Sequence, residues 1–155
     1  MYAPLMRLGL TACLVVFSLT ANAGDKPATR VDRMFSAGAA WIRHSGNLLL
    51  SVIDQVDPAD CSSGARALKT FSASAAQDEK LATALKEASK GATKEENARA
   101  QERIQKELGA EMSALTERTN AGKSKLKQFH AACPAEAKTL REAMQNHTRN
   151  LEKLR

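Results

Sequence analysis

The chain has 155 residues and a formal net charge of +6, with 26% charged and 4% aromatic residues. This length predicts a single domain. Aromatic residues are too scarce to interleave with the basic ones and stack bases, so nucleic acid is not an expected partner. Covalent haem attachment is excluded because the chain has no C-x-x-C-H motif.

The first 23 residues have the pattern of a secretory signal peptide. Arg7 supplies the positive charge, residues 8–19 form an apolar core, and Ala21-Asn22-Ala23 is a small-residue cleavage site. The apolar run, about 12 residues, is shorter than the roughly 20 needed to span a bilayer. We therefore expect cleavage after Ala23, one helical domain over residues 24–155 without a transmembrane span, and a periplasmic or secreted location.

Two alternatives concern this leader. Initiation at Met6 would give a shorter leader of the same pattern. Leu10-Thr11-Ala12-Cys13 resembles the lipidation motif of bacterial lipoproteins, although in that motif the apolar core precedes the cysteine, whereas here most of it follows.

The mature sequence predicts four amphipathic helices and no strand. In the first, which a Thr29 N-cap opens, apolar and small residues recur at coiled-coil steps of three and four. This seam comprises Val31, Phe35, Gly38, Ile42, Ser45, Leu49, Val52 and Val56. Because Trp41, Leu48 and Leu50 widen the apolar surface almost all the way round, helix 1 is expected to be the most buried of the four.

The boundaries of helices 2 and 3 follow from turn and capping signals. Asp57-Pro58 ends helix 1, and Ser62 or Ser63 can cap helix 2. The stripe of helix 2 is weak and comprises Leu68, Phe71, Ala75, Ala82 and Leu85. Thr93 and Glu96 fit a capping box that opens a long third helix.

The third and fourth helices carry clearer seams. The seam of helix 3 comprises Met112, Leu115, Thr119, Gly122, Leu126, Phe129 and Cys133. Asn120-Ala121-Gly122 is expected to bend or break this helix, because glycine disfavours helical backbone. After Pro134, the seam of helix 4 comprises Ala137, Leu140, Met144, His147, Leu151 and Leu154.

The cysteines predict how the helices are arranged. Cys61 lies at the start of helix 2 and Cys133 at the end of helix 3, and in an exported protein we expect them to pair. These two places lie at the same end only when consecutive helices alternate in direction. The predicted fold is therefore an all-α, antiparallel up-down-up-down four-helix bundle with one disulfide. A long hairpin of helices 2 and 3 that carries two flanking helices is the alternative.

Charge is unevenly distributed along the mature sequence. Residues 24–122 contain 14 basic and 14 acidic residues, whereas residues 123–155 contain 8 basic and 3 acidic ones. The excess of basic residues in 123–155 predicts a basic patch. A patch of this kind suits an acidic envelope protein or an anionic envelope surface as its partner. We therefore favour a non-enzymatic interaction protein that uses helix 1 and helix 4. The candidate contact residues are Trp41, Leu48, Leu50, Lys138, Arg141, Arg149, Lys153 and Arg155.

A small ligand or metal carrier, or an enzyme, is the alternative function. When the turns are aligned, His147 lies level with about residue 45 of helix 1, and therefore near His44. At that level helices 2 and 3 offer Ala73 and residues 120–122, none of which is a good ligand. No metal or other cofactor is therefore predicted.

Catalytic patterns are also missing from the sequence. It has no G-x-S-x-G motif, and Asp78-Glu79 is expected on a polar helix face, where carboxylates are solvated. No catalytic residue is predicted. The favoured interpretation of His147 is a partly buried histidine that has a hydrogen-bond partner.

Overall fold

The computed structural model describes residues 28–154. The predicted signal peptide and Arg155 lie outside the described residues. In the described part of the chain the protein is all-α, as predicted, with four helices: α1 (Arg30–Gln55), α2 (Ser62–Ser89), α3 (Lys94–Ala132) and α4 (Pro134–Lys153). None of these helices is both long and apolar enough to cross a bilayer.

The described residues form two compact units, each built from separate stretches of the chain. Unit 1 contains the described part of Met1–Arg43 together with Leu81–Gly109. Unit 2 contains His44–Lys80 and the described part of Ala110–Arg155. Helices α1, α2 and α3 contribute to both units, and α4 contributes to unit 2 alone.

In unit 2 all four helices share one core. Its buried residues are Leu48, Val52, Val56, Ala67, Phe71, Phe129, Cys133, Ala137 and Leu140. Helix α1 runs parallel to α3, since Gly46 meets Leu115 and Ile53 meets Gly122. Helix α2 likewise runs parallel to α4, and consecutive helices run antiparallel. The predicted antiparallel four-helix bundle is confirmed.

In unit 1 three helices pack around Met34 and Ala100, with Leu85 at the edge of this small cluster. Within this unit, Arg103 of α3 contacts α1. Its Nη1 donates to Asp32 Oδ1 at 3.0 Å, and its guanidinium carbon lies 4.1 Å from the centroid of the Phe35 ring. The contact therefore combines an ion pair with a cation–π interaction.

The predicted N-terminal caps of α1 and α3 are confirmed. Thr93 Oγ1 accepts the Glu96 N–H at 3.1 Å, and the Thr93 N–H donates to Glu96 Oε2 at 2.8 Å. Thr29 and Asp32 make the same reciprocal pair at the start of α1. Hydrogen bonds from Thr29, and then the Arg103 charge, hold the pKa of Asp32 below its ordinary value.

The cap of α2 differs from the prediction. Asp60, rather than a serine, caps this helix, because its Oδ1 accepts the Ser62 N–H at 3.0 Å. Ser63 is fully buried, and its hydroxyl instead accepts the Asp57 N–H at 2.7 Å. The Ser63 side chain therefore braces the turn that precedes α2.

The expected break at Asn120-Ala121-Gly122 is also wrong, because α3 is helical throughout Lys94–Ala132. A β-carbon at Gly122 would overlap the Cγ2 atom of Ile53. Glycine is needed here for the close approach of α1 and α3. The stability gained from this packing outweighs the roughly 1 kcal/mol by which glycine is less favourable than alanine in a helix.

The predicted disulfide is confirmed. Cys61 and Cys133 are joined with a Cα–Cα distance of 5.3 Å across a sequence separation of 72 residues. The bond links the α1–α2 turn to the residue between α3 and α4. Cys133 also belongs to the buried core of unit 2.

Replacement of both cysteines by serine is expected to lower the free energy of unfolding by up to about 4 kcal/mol, because a loop of this length would gain freedom in the unfolded chain. Urea denaturation of the variant and of the oxidised protein measures the difference. An unchanged midpoint would contradict the expectation.

Two glycines of α3 give a matched pair. Gly122→Ala should destabilise the protein by about 1–3 kcal/mol, since the stiff β-branched Ile53 has to move. Gly109→Ala should stabilise it by up to about 1 kcal/mol, because nothing lies within 4 Å of the added carbon. Thermal or urea denaturation tests both signs, and a common sign for the two variants would contradict this account.

Candidate functional site

A polar cluster with a buried centre lies between α1, α2 and α4 in unit 2. We call it the His147 cluster, and its members are Ser45, Asp78, Glu79, His147 and Asn150. Asp78 is 2% exposed and His147 is 9% exposed. Buried ionisable groups are rare in small proteins and need partners, so this cluster is the most unusual chemical environment in the described chain.

Asp78 is the centre of the cluster. Its Oδ2 lies 2.9 Å from His147 Nε2, and its Oδ1 accepts the Ser45 hydroxyl at 2.5 Å. Both carboxylate oxygens therefore have partners, one from α4 and one from α1. A buried carboxylate is tolerated when its oxygens have hydrogen-bond partners, and Asp78 meets this condition.

Glu79 approaches the other side of the imidazole. Its Oε1 lies 3.4 Å from His147 Nδ1 and accepts the Asn150 side-chain N–H at 3.2 Å. The Phe71 ring meets the imidazole edge-on, with centroids 5.5 Å apart. His147 is thus held on one side by an aromatic ring, and each of its nitrogens faces a carboxylate.

This environment changes the pKa of His147. Burial disfavours the charged imidazolium and is the largest single influence. The hydrogen bonds and charges of Asp78, and then of Glu79, act together in the opposite direction and outweigh it. The result is a pKa raised above the ordinary value of 6.5.

The sequence predicted part of this arrangement. His147 and Ser45 bind opposite oxygens of Asp78, so the predicted level of His147 near residue 45 is confirmed. His147 is a buried histidine with hydrogen-bond partners, as favoured. His44 lies apart from the cluster in its contacts, because its Nε2 faces the Ser74 carbonyl at 3.1 Å.

The α2 residue that lies level with His147 was predicted wrongly. Ala73 was placed at this level, whereas the structure places Asp78 there, and Asp78 is buried instead of lying on a polar face. A signal for it exists in the sequence. Asp78 lies three residues after Ala75 and four before Ala82, at the gap in the weak apolar stripe of α2.

A metal or ligand carrier would need donor atoms that are free to bind. Both nitrogens of His147 already face Asp78 and Glu79, so coordination would require breaking those contacts. Within residues 28–154, no group of three or more His, Cys, Asp or Glu side chains is arranged to hold a metal ion.

The apolar half of the predicted contact surface is buried. Trp41, Leu48 and Leu50 are 8%, 6% and 4% exposed. A role for these three residues in an exposed docking surface is therefore wrong for the folded chain. The other expectation from the same pattern, that helix 1 is largely buried, is correct.

The basic half of that surface lies on α4. Lys138, Arg149 and Lys153 are exposed, and Arg141 is half-buried. Lys138 Nζ lies 3.9 Å from Glu142, and Arg149 donates to Asn146 at 3.4 Å. At 100° per residue these four basic residues fall within an arc of about 120° on one flank of α4. Glu142 and Glu152 lie on the same flank.

Comparison of this chain with protein-family models, with curated proteins and with solved structures found no match.

Two adjacent carboxylates provide a test of the His147 cluster. Asp78→Ala should cost about 3–5 kcal/mol of unfolding free energy, because it leaves a buried imidazole and the Ser45 hydroxyl without their partner. Glu79→Ala should cost less than about 1 kcal/mol, since Glu79 is partly exposed. Urea denaturation at pH 6 measures both. Equal losses would show that Asp78 has no special place in the core.

Proposed function

We propose that this protein is an exported, non-enzymatic helical bundle that binds an anionic phosphate-bearing envelope surface through the basic flank of α4. Its basic residues are Lys138, Arg141, Arg149 and Lys153, its acidic residues are Glu142 and Glu152, and Arg155 follows in the sequence. The observation that carries the proposal is that Lys138, Arg149 and Lys153 are exposed while the apolar candidates on α1 are buried.

Export is supported by two features of the sequence and structure. Residues 1–23 have the tripartite pattern of a signal peptide. Cys61 and Cys133 form a disulfide, and such bonds persist chiefly in oxidising compartments.

The nature of the surface is argued from charge and burial. With Trp41, Leu48 and Leu50 inside, the flank offers charge rather than apolar area. Binding should therefore be electrostatic, reversible and sensitive to salt. Anionic lipid headgroups match this chemistry, because basic residues near such a surface contribute about 1 kcal/mol each.

The segment before α4 adds to the positive charge. Lys123 and Lys127 are exposed on α3, one turn apart. Lys125 lies between them and points elsewhere, because its Nζ donates to the Asp54 carbonyl of α1 at 2.9 Å. Residues two apart on a helix are separated by about 200°. We infer that Lys123 and Lys127 face away from α1.

The experiment is co-sedimentation of the purified protein with phosphatidylcholine vesicles that contain about a third phosphatidylglycerol. Binding should be lost in about 0.5 M salt and on vesicles of phosphatidylcholine alone. The triple variant Lys138→Glu, Arg149→Glu and Lys153→Glu should bind about 100-fold more weakly, from about 1 kcal/mol for each lost basic residue.

The matched control makes the same charge change in unit 1. Lys86, Lys94 and Lys106 are also exposed, and their replacement by glutamate should weaken binding much less. Equal weakening in the two triple variants would mean that net charge acts without a defined face. Absence of binding to anionic vesicles by the unaltered protein would refute the proposal.

A further inference from the structure

The two nitrogens of His147 distinguish its protonation states by geometry. Nε2 lies 2.9 Å from an Asp78 oxygen and Nδ1 lies 3.4 Å from a Glu79 oxygen. An ionised carboxylate only accepts hydrogen bonds. Only the imidazolium has a hydrogen on both nitrogens, so only this form can donate to both carboxylates. A neutral ring would present a lone pair to one of them.

Both acidic partners belong to α2, whereas His147 belongs to α4. The charge on the ring therefore acts directly on the attachment of one helix to the other. Asn150, one turn further along α4, donates to Glu79 as well, but its amide carries no charge. The proton of His147 is thus a part of this α2–α4 contact that pH can remove in the neutral range.

The other helices meet this level with few charges. From α1 come the Ser45 hydroxyl, which binds Asp78, and His44, whose Nε2 faces Ser74. From α3 comes Leu115, which packs against Gly46. Glu111 and Arg118 lie one turn to either side of Leu115. Asp78, and then Glu79, are the charges that act most strongly on the ionisation of His147.

The far end of α4 from this contact is fixed covalently. Cys133 precedes the helix directly and is bonded to Cys61 at the start of α2. His147 lies about 20 Å further along at 1.5 Å per residue. Helix α4 is therefore attached to α2 by a permanent bond at its start and by the His147 cluster near its end.

We propose that His147 is a proton-controlled clasp that holds the C-terminal half of α4 against α2 at acidic pH and loosens it as the pH rises. The released half carries Arg149 and Lys153, so their position follows the state of the clasp. The proposal concerns the fold and does not depend on what α4 binds.

The direction follows from linkage. Because the folded pKa of His147 is raised, the contribution of this residue is fully present below the unfolded pKa of about 6.5 and is lost as the pH rises through the folded value. Stability due to His147 should therefore be greatest near pH 5.5 and smallest near pH 8.5.

The test compares His147→Gln with His44→Gln, since both remove a histidine from unit 2. Urea denaturation at about pH 5.5 and 8.5 gives the unfolding constant of each protein on the two sides of the titration. From acid to alkaline pH, the constant of the unaltered protein should rise about tenfold more than that of His147→Gln. His44→Gln leaves the contacts of His147 in place and should therefore keep the part of the rise that His147→Gln loses. Identical pH dependence in all three proteins would refute the clasp.

Two further measurements keep the proposal testable if His147→Gln does not fold. In the unaltered protein, NMR titration of the imidazole should give His147 a pKa above the ordinary value of 6.5. Hydrogen exchange should show α4 amides after residue 143 losing protection at high pH before those of α1. Glu79→Gln keeps the contact between Asp78 and His147 but removes one negative charge. The pKa of His147 should therefore be lower in this variant than in the unaltered protein. A His147 that titrates below 6.5, or uniform loss of protection, would refute the proposal.

Discussion

The burial of α1 is the constraint on which the rest of the structure depends. Met34 supports the small core of unit 1, and Val52 and Val56 lie fully buried in unit 2. Most of the buried large apolar residues lie between Met34 and Val56, so the other helices pack their own apolar residues against this segment. Close packing against α1 then requires small residues, and Gly46 and Gly122 let side chains of the partner helix approach the backbone.

A core that packs through small residues fixes the relative positions of its helices poorly by shape alone. The His147 cluster fixes those positions through hydrogen bonds. Ser45, Asp78 and His147 come from three helices and satisfy one another only in a single alignment. A slip of one turn would leave a buried carboxylate without donors, at a cost of several kcal/mol. The polar layer therefore selects one alignment of α1, α2 and α4, in the way that a buried polar residue fixes the pairing of coiled coils.

The sequence predicted the parts of the fold that repeat or are local. Periodic seams predicted the helices, Thr93 and Glu96 predicted a cap, and the positions of Cys61 and Cys133 predicted antiparallel neighbours. Asp78 was missed because hydrophobic periodicity treats a carboxylate as a solvent residue, and only its partners on other helices reveal that it is buried. The cap at Asp60 and the unbroken helix α3 at Gly122 were missed for a related reason, since tertiary contacts decide both. The binding role of the basic flank stays a prediction.

The spacing of partners along the chain has a consequence for biosynthesis. Helix α1 meets α3, and α2 meets α4, across sequence separations of about 66 to 72 residues, as in the Arg30–Glu96, Asp54–Lys125 and Cys61–Cys133 pairs. A ribosome releases the chain from its N-terminus at roughly 5–20 residues per second. For some seconds α1, the most apolar helix, has therefore left the ribosome while its parallel neighbour α3 has not. Asp78 likewise leaves the ribosome before His147. The first hairpin must wait for the second, and until then its exposed face is what a chaperone would meet.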